Sequence, residues 1–204
     1  KVQTAFFTSS QTAERMRSLC PNVNINHLPE AIETELYHAG KSLSERSIDY
    51  LEFGRCSRIL DSTQFDKSII VLSSRNERTG LKTRAQLADA LADSKITLAL
   101  TRLDNQPELA EGVDTLTQRY WECMLSGVVI LGRAPQELID IIGYDPVVHL
   151  DKDNANDQIL GILEHIEDYQ ELVDRNRQRA LEHGDWKVRI EWMMGVMKKQ
   201  GYEV

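Results

Sequence analysis

Apolar positions along the chain switch repeatedly between short runs with period two, or no polar break at all, and longer stretches spaced three or four residues apart. That rhythm is expected of strands joined by helices. Val2 to Thr8 reads as a strand running into Ser9-Ser10, and Gln11 to Leu19 follows with Ala13, Met16 and Leu19 on one helical face. Asn22 to Leu28 alternates Val23, Ile25 and His27 with asparagines, and Pro29 stops this second strand ahead of a short helical piece, Glu30 to His38. Gly40-Lys41 marks a loop.

From Ser47 the alternation becomes regular. A strand over 47–53 (SIDYLEF) is stopped by Gly54-Arg55, and 57–65 is a helix candidate. The unbroken apolar run of 68–72 (SIIVL) predicts a strand buried on both faces. After a polar loop, a helix over 83–93 carries Leu87, Ala90 and Leu91, and 95–100 (KITLAL) is the next strand. A long polar loop, 101–114, leads into a helix over 116–125 closed by Gly127. Strand 128–131, helix 136–141 and strand 147–150 continue the series, and the remainder is helical over 156–182 and 185–200 with a break at His183-Gly184. About five strands in this order specify an α/β fold, a Rossmann-like doubly wound parallel sheet with additional C-terminal helices. On this reading 1–40 is the end of a preceding unit or a connecting segment, 41–182 the Rossmann-like domain, and 183–204 a last helix.

Composition narrows the classes. A chain of 204 residues can bury a core without disulfide or metal staples. With 32 acidic against 24 basic side chains its net charge is −8, which argues against a general nucleic-acid binder. No apolar run approaches the roughly 18 residues of a membrane span. Cys20, Cys56 and Cys123 are far apart and form no CxxC pair, so a reducing, cytoplasmic setting is expected. The chain opens at Lys1 with neither an initiator Met nor a signal peptide, and the expectation is that it begins inside a longer gene product. The five histidines show no metal spacing, so neither a metal nor another cofactor is expected. The absence of GxSxG, Walker A and GxGxxG patterns weakens hydrolase, NTPase and dehydrogenase readings.

In a doubly wound sheet ligands bind beyond the carboxyl ends of the strands, which singles out four places. Gly54-Arg55 offers a sharp turn and a guanidinium that can fork onto a diphosphate; taken alone, a turn glycine beside a solvated arginine is the commoner explanation. Thr101-Arg102 could edge a base or help with phosphate, or be surface loop. The run EGVDTLTQRYWECMLSGVVILG, 111–132, carries a polar loop into a helix: Asp114, Thr115 and Thr117 can cap it, and its first N–H groups and dipole suit an anion. Glu122, one and a half turns in, could accept both hydroxyls of a ribose, whereas the plain alternative is an Arg119–Glu122 surface pair at i, i+3. Arg133-Ala134-Pro135 reads as a tight, structural βα turn.

In order, these motifs resemble the C-terminal, donor-binding half of a GT-B glycosyltransferase of the group 1 kind. FFTSSQTAERMRSLCPNVNINHLPEAIETELY is similar to that family's passage ending in a Pro-Glu pair, here Pro29-Glu30; IDYLEFGR resembles the strand and turn that begin its second Rossmann domain. EGVDTLTQRYWECMLSGVVILG resembles its signature loop and helix, and YQELVDRNRQRALEHGDWKVRIEWM its closing helices, the last of which crosses back towards the N-terminal domain. The resemblance implies half of a GT-B fold that holds a nucleotide-sugar donor: Gly54-Arg55, with Arg58, at the diphosphate, Glu122 at the ribose, and the loop Asp114, Thr115, Leu116, Thr117 and Gln118 around phosphates and sugar. Two departures stand out. Leu60 occupies the family's usual lysine position, and the E-x7-E pair reads Asp114-x7-Glu122, with Glu111 a rival for the first acid. The implied enzyme moves a sugar from a nucleoside diphosphate to an unidentified acceptor. It needs no nucleic acid and no transmembrane segment. Acceptor binding, and any peripheral membrane contact, would fall to an N-terminal domain, without which the chain is expected to be inactive. The alternative from a different class is a non-catalytic Rossmann-like scaffold or interaction module, and an epimerase-type nucleotide-sugar enzyme lacks a convincing set of reactive residues.

Overall fold

The structure, a computed structural model, describes residues 2–54, 60, 62–74 and 81–203. Near the N-terminus, β1 (Thr4–Phe7) and β2 (Asn24–His27) form a two-stranded parallel sheet with Thr4 opposite Asn24 and Phe7 opposite His27. Parallel strands need a crossover, and α1 (Ser10–Leu19) provides it, started by Ser9, whose hydroxyl accepts from the Thr12 N–H. Ala13 is buried against the strands as expected, but Leu19, on the same predicted face, is exposed, because two short strands are too narrow a platform for the helix's last turn.

The larger sheet is parallel throughout and contains β3 (Ile48–Glu52), β4 (Val71–Ser73), β5 (Ser94–Ala99), β6 (Val129–Gly132) and β7 (Val148–His149) in the order β4-β3-β5-β6-β7. The expected α/β, Rossmann-like class is what forms. Period-two alternation sorts the strand side chains onto two faces. Leu51, Ala99 and Ile130 share a core with Leu91 of α2 (Arg84–Ala92), Trp121, Met124 and Leu125 of α5 (Gln118–Ser126), and Leu138 of α6 (Gln136–Ile142). Tyr50, Ile96, Leu98, Val129 and Leu131 point the other way, against Ile159 and Ile162 of α7 (Ala155–Glu164).

Four expectations need correction. The run 68–72 is not a doubly buried strand: β4 is half-buried with Ile70 exposed beside it, because among the described residues it is an edge strand paired with β3 alone. In Glu30–His38 only a 3-10 turn, Thr34–Leu36, is helical, since Ile32 instead exchanges backbone hydrogen bonds with Gly184 and Trp186. The loop 101–114 contains two one-turn helices, α3 (Arg102–Asn105), begun by a Thr101–Asp104 capping box, and α4 (Pro107–Ala110), with proline in its first turn. The helix 156–182 breaks at His165 into α7, a 3-10 turn (Ile166–Tyr169) and α8 (Gln170–His183). The break carries the chain around the sheet, so that α8 places Val173 in one core and Ala180 in the other. The helix candidate 57–65 falls largely outside the described residues, and Ser62–Gln64 forms a 3-10 turn.

The last helix, α9 (Trp186–Lys199), runs back over the N-terminal unit. Its buried Arg189 donates from Nε to the Pro29 carbonyl (3.2 Å), Trp192 meets Phe6 edge-on with ring centroids 6.1 Å apart, and Tyr202 just beyond it donates to Gln3 (2.9 Å). Among the described residues no helix is long and apolar enough to cross a membrane.

Candidate functional site

From β3 the chain steps to β4 on one side and then crosses to β5 on the other, so β3 and β5 flank the switch point of the sheet. Connections leaving such neighbouring strands diverge, opening a crevice at their carboxyl ends. A cavity of about 530 Å³ occupies this position. Gly54 borders it after β3; Leu100, Arg102, Asn105 and Gln106 follow β5; Thr115, Leu116, Thr117, Gln118, Arg119 and Glu122 come from the loop into α5; Thr8 and Glu30 close it from the ends of β1 and β2.

The wall formed by α5 follows from that helix's own amphipathic pattern. Tyr120, Trp121, Met124 and Leu125 are buried, and Gly127 ends the helix in the left-handed conformation (φ 63°). Trp121 donates its indole N–H to the Glu30 carbonyl (2.8 Å), fixing the helix's rotation and leaving Gln118, Arg119 and Glu122 towards the crevice. Asp114, Thr115 and Thr117 were candidate caps, but Thr117 is the N-cap residue and makes no side-chain capping bond. The positive end of α5 is thereby presented to the cavity that Thr117 and Gln118 border.

Arg119 and Glu122 are not a plain surface pair. The Arg119 guanidinium lies 4.5 Å from the Phe53 ring centroid. Gly54, with φ 68°, makes room for it: a Cβ there would fall 1.7 Å from an Arg119 nitrogen. Glu122 accepts a 2.8 Å hydrogen bond from the Tyr37 hydroxyl. Burial and the adjoining Glu122 carboxylate push the Tyr37 phenol far above its ordinary value, so it keeps its proton and donates. Glu30 also accepts from Gln118 Nε2 (2.9 Å), joining the end of β2 to the start of α5.

Asp114 is the candidate that the fold takes elsewhere. Both its oxygens accept from Arg133, at 2.8 and 3.0 Å, and it does not border the cavity. Arg133 also donates to Asp104 (2.8 and 2.9 Å) and to Thr101 Oγ1 (2.9 Å), a bidentate network that ties the loop before α5 to the end of β6. Its hydrogen bonds to the Asp114 and Asp104 carboxylates hold the guanidinium firmly protonated. The loop's backbone is pinned as well: Glu137, buried at the start of α6, accepts from Leu116 N–H (2.8 Å) and from the Ser10 N–H, and Asp114 N–H donates to Gln11 (2.8 Å).

Of the residues singled out from the sequence, Gly54, Thr115, Leu116, Thr117, Gln118 and Glu122 come together at the cavity, and Arg55 and Arg58 lie outside the described residues. Leu60, at the usual lysine position, is buried in the core against α7. Glu111 is exposed and left-handed (φ 51°) and does not border the cavity. Sequence reasoning missed Thr8, Glu30, Asn105, Gln106 and the cation Arg119; the Pro29-Glu30 pair at the end of β2 and the position of Arg119 one turn before Glu122 were the available signals. Among the described residues no three His, Cys, Asp or Glu side chains converge as a metal site.

Residues 62–195, more than half of the chain, match the family model described as glycosyl transferase-like. Among solved structures the chain is similar to sucrose-phosphate synthase from Thermosynechococcus elongatus, with a TM-score of 0.65 and 12% identity, over 97% of this chain and 58% of that one. At that identity the likeness is one of fold, and this chain spans little more than half the length of the synthase. No curated protein gives a significant match.

Proposed function

The chain belongs to the glycosyl transferase-like family, and from that premise we infer that it is the donor-binding half of a glycosyltransferase that takes its sugar from a nucleoside diphosphate. The observation that carries this reading is the cavity at the β3/β5 switch point with Glu122, Arg119 and the uncapped end of α5 all facing it. The roles divide by charge. Glu122 accepts the two ribose hydroxyls, while Arg119, Arg102 and the first N–H groups of α5 surround the diphosphate. As the sugar–oxygen bond breaks, negative charge grows on the leaving diphosphate, and these fixed positive groups stabilise it without rearranging. Residues 41–182 form the donor domain, 1–40 the end of a preceding unit, and 183–204 the crossing helix. The acceptor would bind on the preceding unit's side, where Thr8 and Glu30 already enter the cavity, and the chain alone is expected to bind donor without turning it over.

Calorimetry with UDP, GDP and ADP and their sugar conjugates tests the reading. Glu122→Gln is expected to weaken the nucleotide that binds by about tenfold, the loss of charge-assisted hydrogen bonds. Asp114→Asn, which loosens the Arg133 network instead, should leave affinity within about threefold of wild type while lowering stability by about 1 kcal/mol. Equal losses for both variants would remove the assignment. The buried Leu60 in place of a lysine favours one second reading, a module that keeps this shape without transfer. Absence of binding across the whole panel would establish it in place of the first.

A further inference from the structure

The ribose-facing carboxylate is not left to orient itself. Glu122 reaches from α5 on a side chain with three rotatable bonds, and accepting two vicinal hydroxyls demands that the plane of its carboxylate be set beforehand. The Tyr37 hydroxyl meets it 2.8 Å away at Oε1. Tyr37 is itself 4% exposed and packed in the core shared with Trp121 and Leu125, so its ring has nowhere to swing.

Its place in the fold is set from the far end of the chain. Tyr37 ends the 3-10 turn that Thr34 begins, its N–H bonded to the Thr34 carbonyl (3.2 Å). Thr34 donates through its hydroxyl (2.6 Å) and its N–H (3.4 Å) to Asp185, the N-cap of α9. Ile32 is bonded in both directions to the α8–α9 junction. A continuous series of hydrogen bonds therefore runs from the start of α9 to the phenol behind Glu122.

We propose that Tyr37 is a positioning residue: its hydroxyl fixes the Glu122 carboxylate so that Oε2 and the remaining lone pair of Oε1 accept the ribose 2′- and 3′-hydroxyls, which makes it a determinant of ribose over deoxyribose donors. The proposal rests on the donor-site reading above and adds a residue that touches no ligand. A phenol that stays protonated throughout the neutral range suits the role, because the bond to Glu122 then does not switch with pH.

The experiment compares binding of each ribonucleoside diphosphate with its 2′-deoxy counterpart, and of inorganic pyrophosphate, to the chain and its variants. Wild type is expected to favour the ribo form by about tenfold, and Tyr37→Phe to reduce that preference to about threefold or less, with pyrophosphate affinity unchanged. Glu122→Gln should abolish the preference. If Glu122→Gln abolishes it and Tyr37→Phe keeps the wild-type ratio, the positioning role is refuted and the donor site stands. A wild-type chain with no ribose preference, or no nucleotide binding, refutes both. A second measurement does not depend on the folding of any substituted chain: with tyrosine labelled at the Cζ carbon, the Tyr37 resonance should shift on adding the ribonucleotide and move much less with the 2′-deoxy form. Equal shifts for the two would overturn the proposal.

Discussion

On the α5 side of the cavity, Arg119 lies along Phe53 above Gly54 and borders the open space; on the β6 side, Arg133 sits between Asp104 and Asp114 with its fork fully engaged. Both follow the same chemistry of planar guanidinium with oxygen acceptors or aromatic faces. The difference lies in what surrounds them. Asp104 and Asp114 are 17% and 15% exposed, so the network around Arg133 is sheltered, and its guanidinium is engaged by two carboxylates, leaving no free cation for a ligand. Arg119 lies against an aromatic ring and donates to the Leu98 carbonyl oxygen 3.4 Å away, and it borders the cavity. Arg133 braces one wall from within, whereas Arg119 borders the open space.

The largest effect should come from breaking the wall. Arg133→Met leaves two half-buried carboxylates facing each other, and because the side chain is 34% exposed we expect a loss of about 2–3 kcal/mol, somewhat below that for a fully buried pair. Urea unfolding measures it. The triple variant Arg133→Met, Asp104→Asn, Asp114→Asn should recover part of the loss, since the orphaned charges go with the cation. A loss under about 0.5 kcal/mol in the single variant, the scale of an exposed pair, would show that the network is a surface feature.

Next in size is the opposite wall. Gly54→Ala asks a side chain to adopt φ 68° and to share space with the Arg119 guanidinium. The left-handed backbone costs about 1–2 kcal/mol, and displacement of Arg119 should weaken nucleotide binding by about tenfold beyond that. An Arg119→Ala background separates the parts: the stability cost of Gly54→Ala should persist there, while its effect on affinity should vanish. Persistence of the full affinity loss would mean that Arg119 is not the group the glycine makes room for.

The two walls also differ in how far they could be read from the sequence. The apolar-rich runs at 47–53, 95–100 and 128–131 place the central strands within about two residues, because buried parallel strands are dictated by their own apolar content. The edge strand β4 and the broken helix 156–182 were misread, since burial at an edge and a turn around the sheet depend on neighbours that local spacing does not contain. That Glu122 faces the cavity follows from spacing alone, since it lies half-buried on the polar stripe of an amphipathic helix behind a polar loop. Asp114 looked equally suited, and only the fold brings Arg133, 19 positions later, onto both its oxygens. Tyr37 could not be found at all: its partner is 85 positions away, and its position depends on Asp185, 151 residues from Thr34.

The smallest effect separates the two sides by pH. Burial favours a protonated Asp104, but hydrogen bonds from Arg133 and Thr101 outweigh it and hold the carboxyl below its ordinary value. A depressed carboxylate stabilises the fold fully above its unfolded-state value of about 3.9, and that contribution is lost as pH falls through the lower folded-state value. Tyr37 runs the other way: its phenol is raised, so the stability it contributes is complete below the unfolded-state value of about 10 and is lost as pH rises past it. Unfolding free energies measured across pH for wild type, Asp104→Asn and Tyr37→Phe should therefore diverge at opposite ends. The gap between wild type and Asp104→Asn should hold steady from about pH 5 upward to neutrality and narrow below about pH 4, where the paired carboxylate is being protonated. The gap between wild type and Tyr37→Phe should be flat there and narrow only above about pH 10. If both gaps closed at the same end, the two walls would share one electrostatic network, and the division of labour between Arg133 and Arg119 would have to be abandoned.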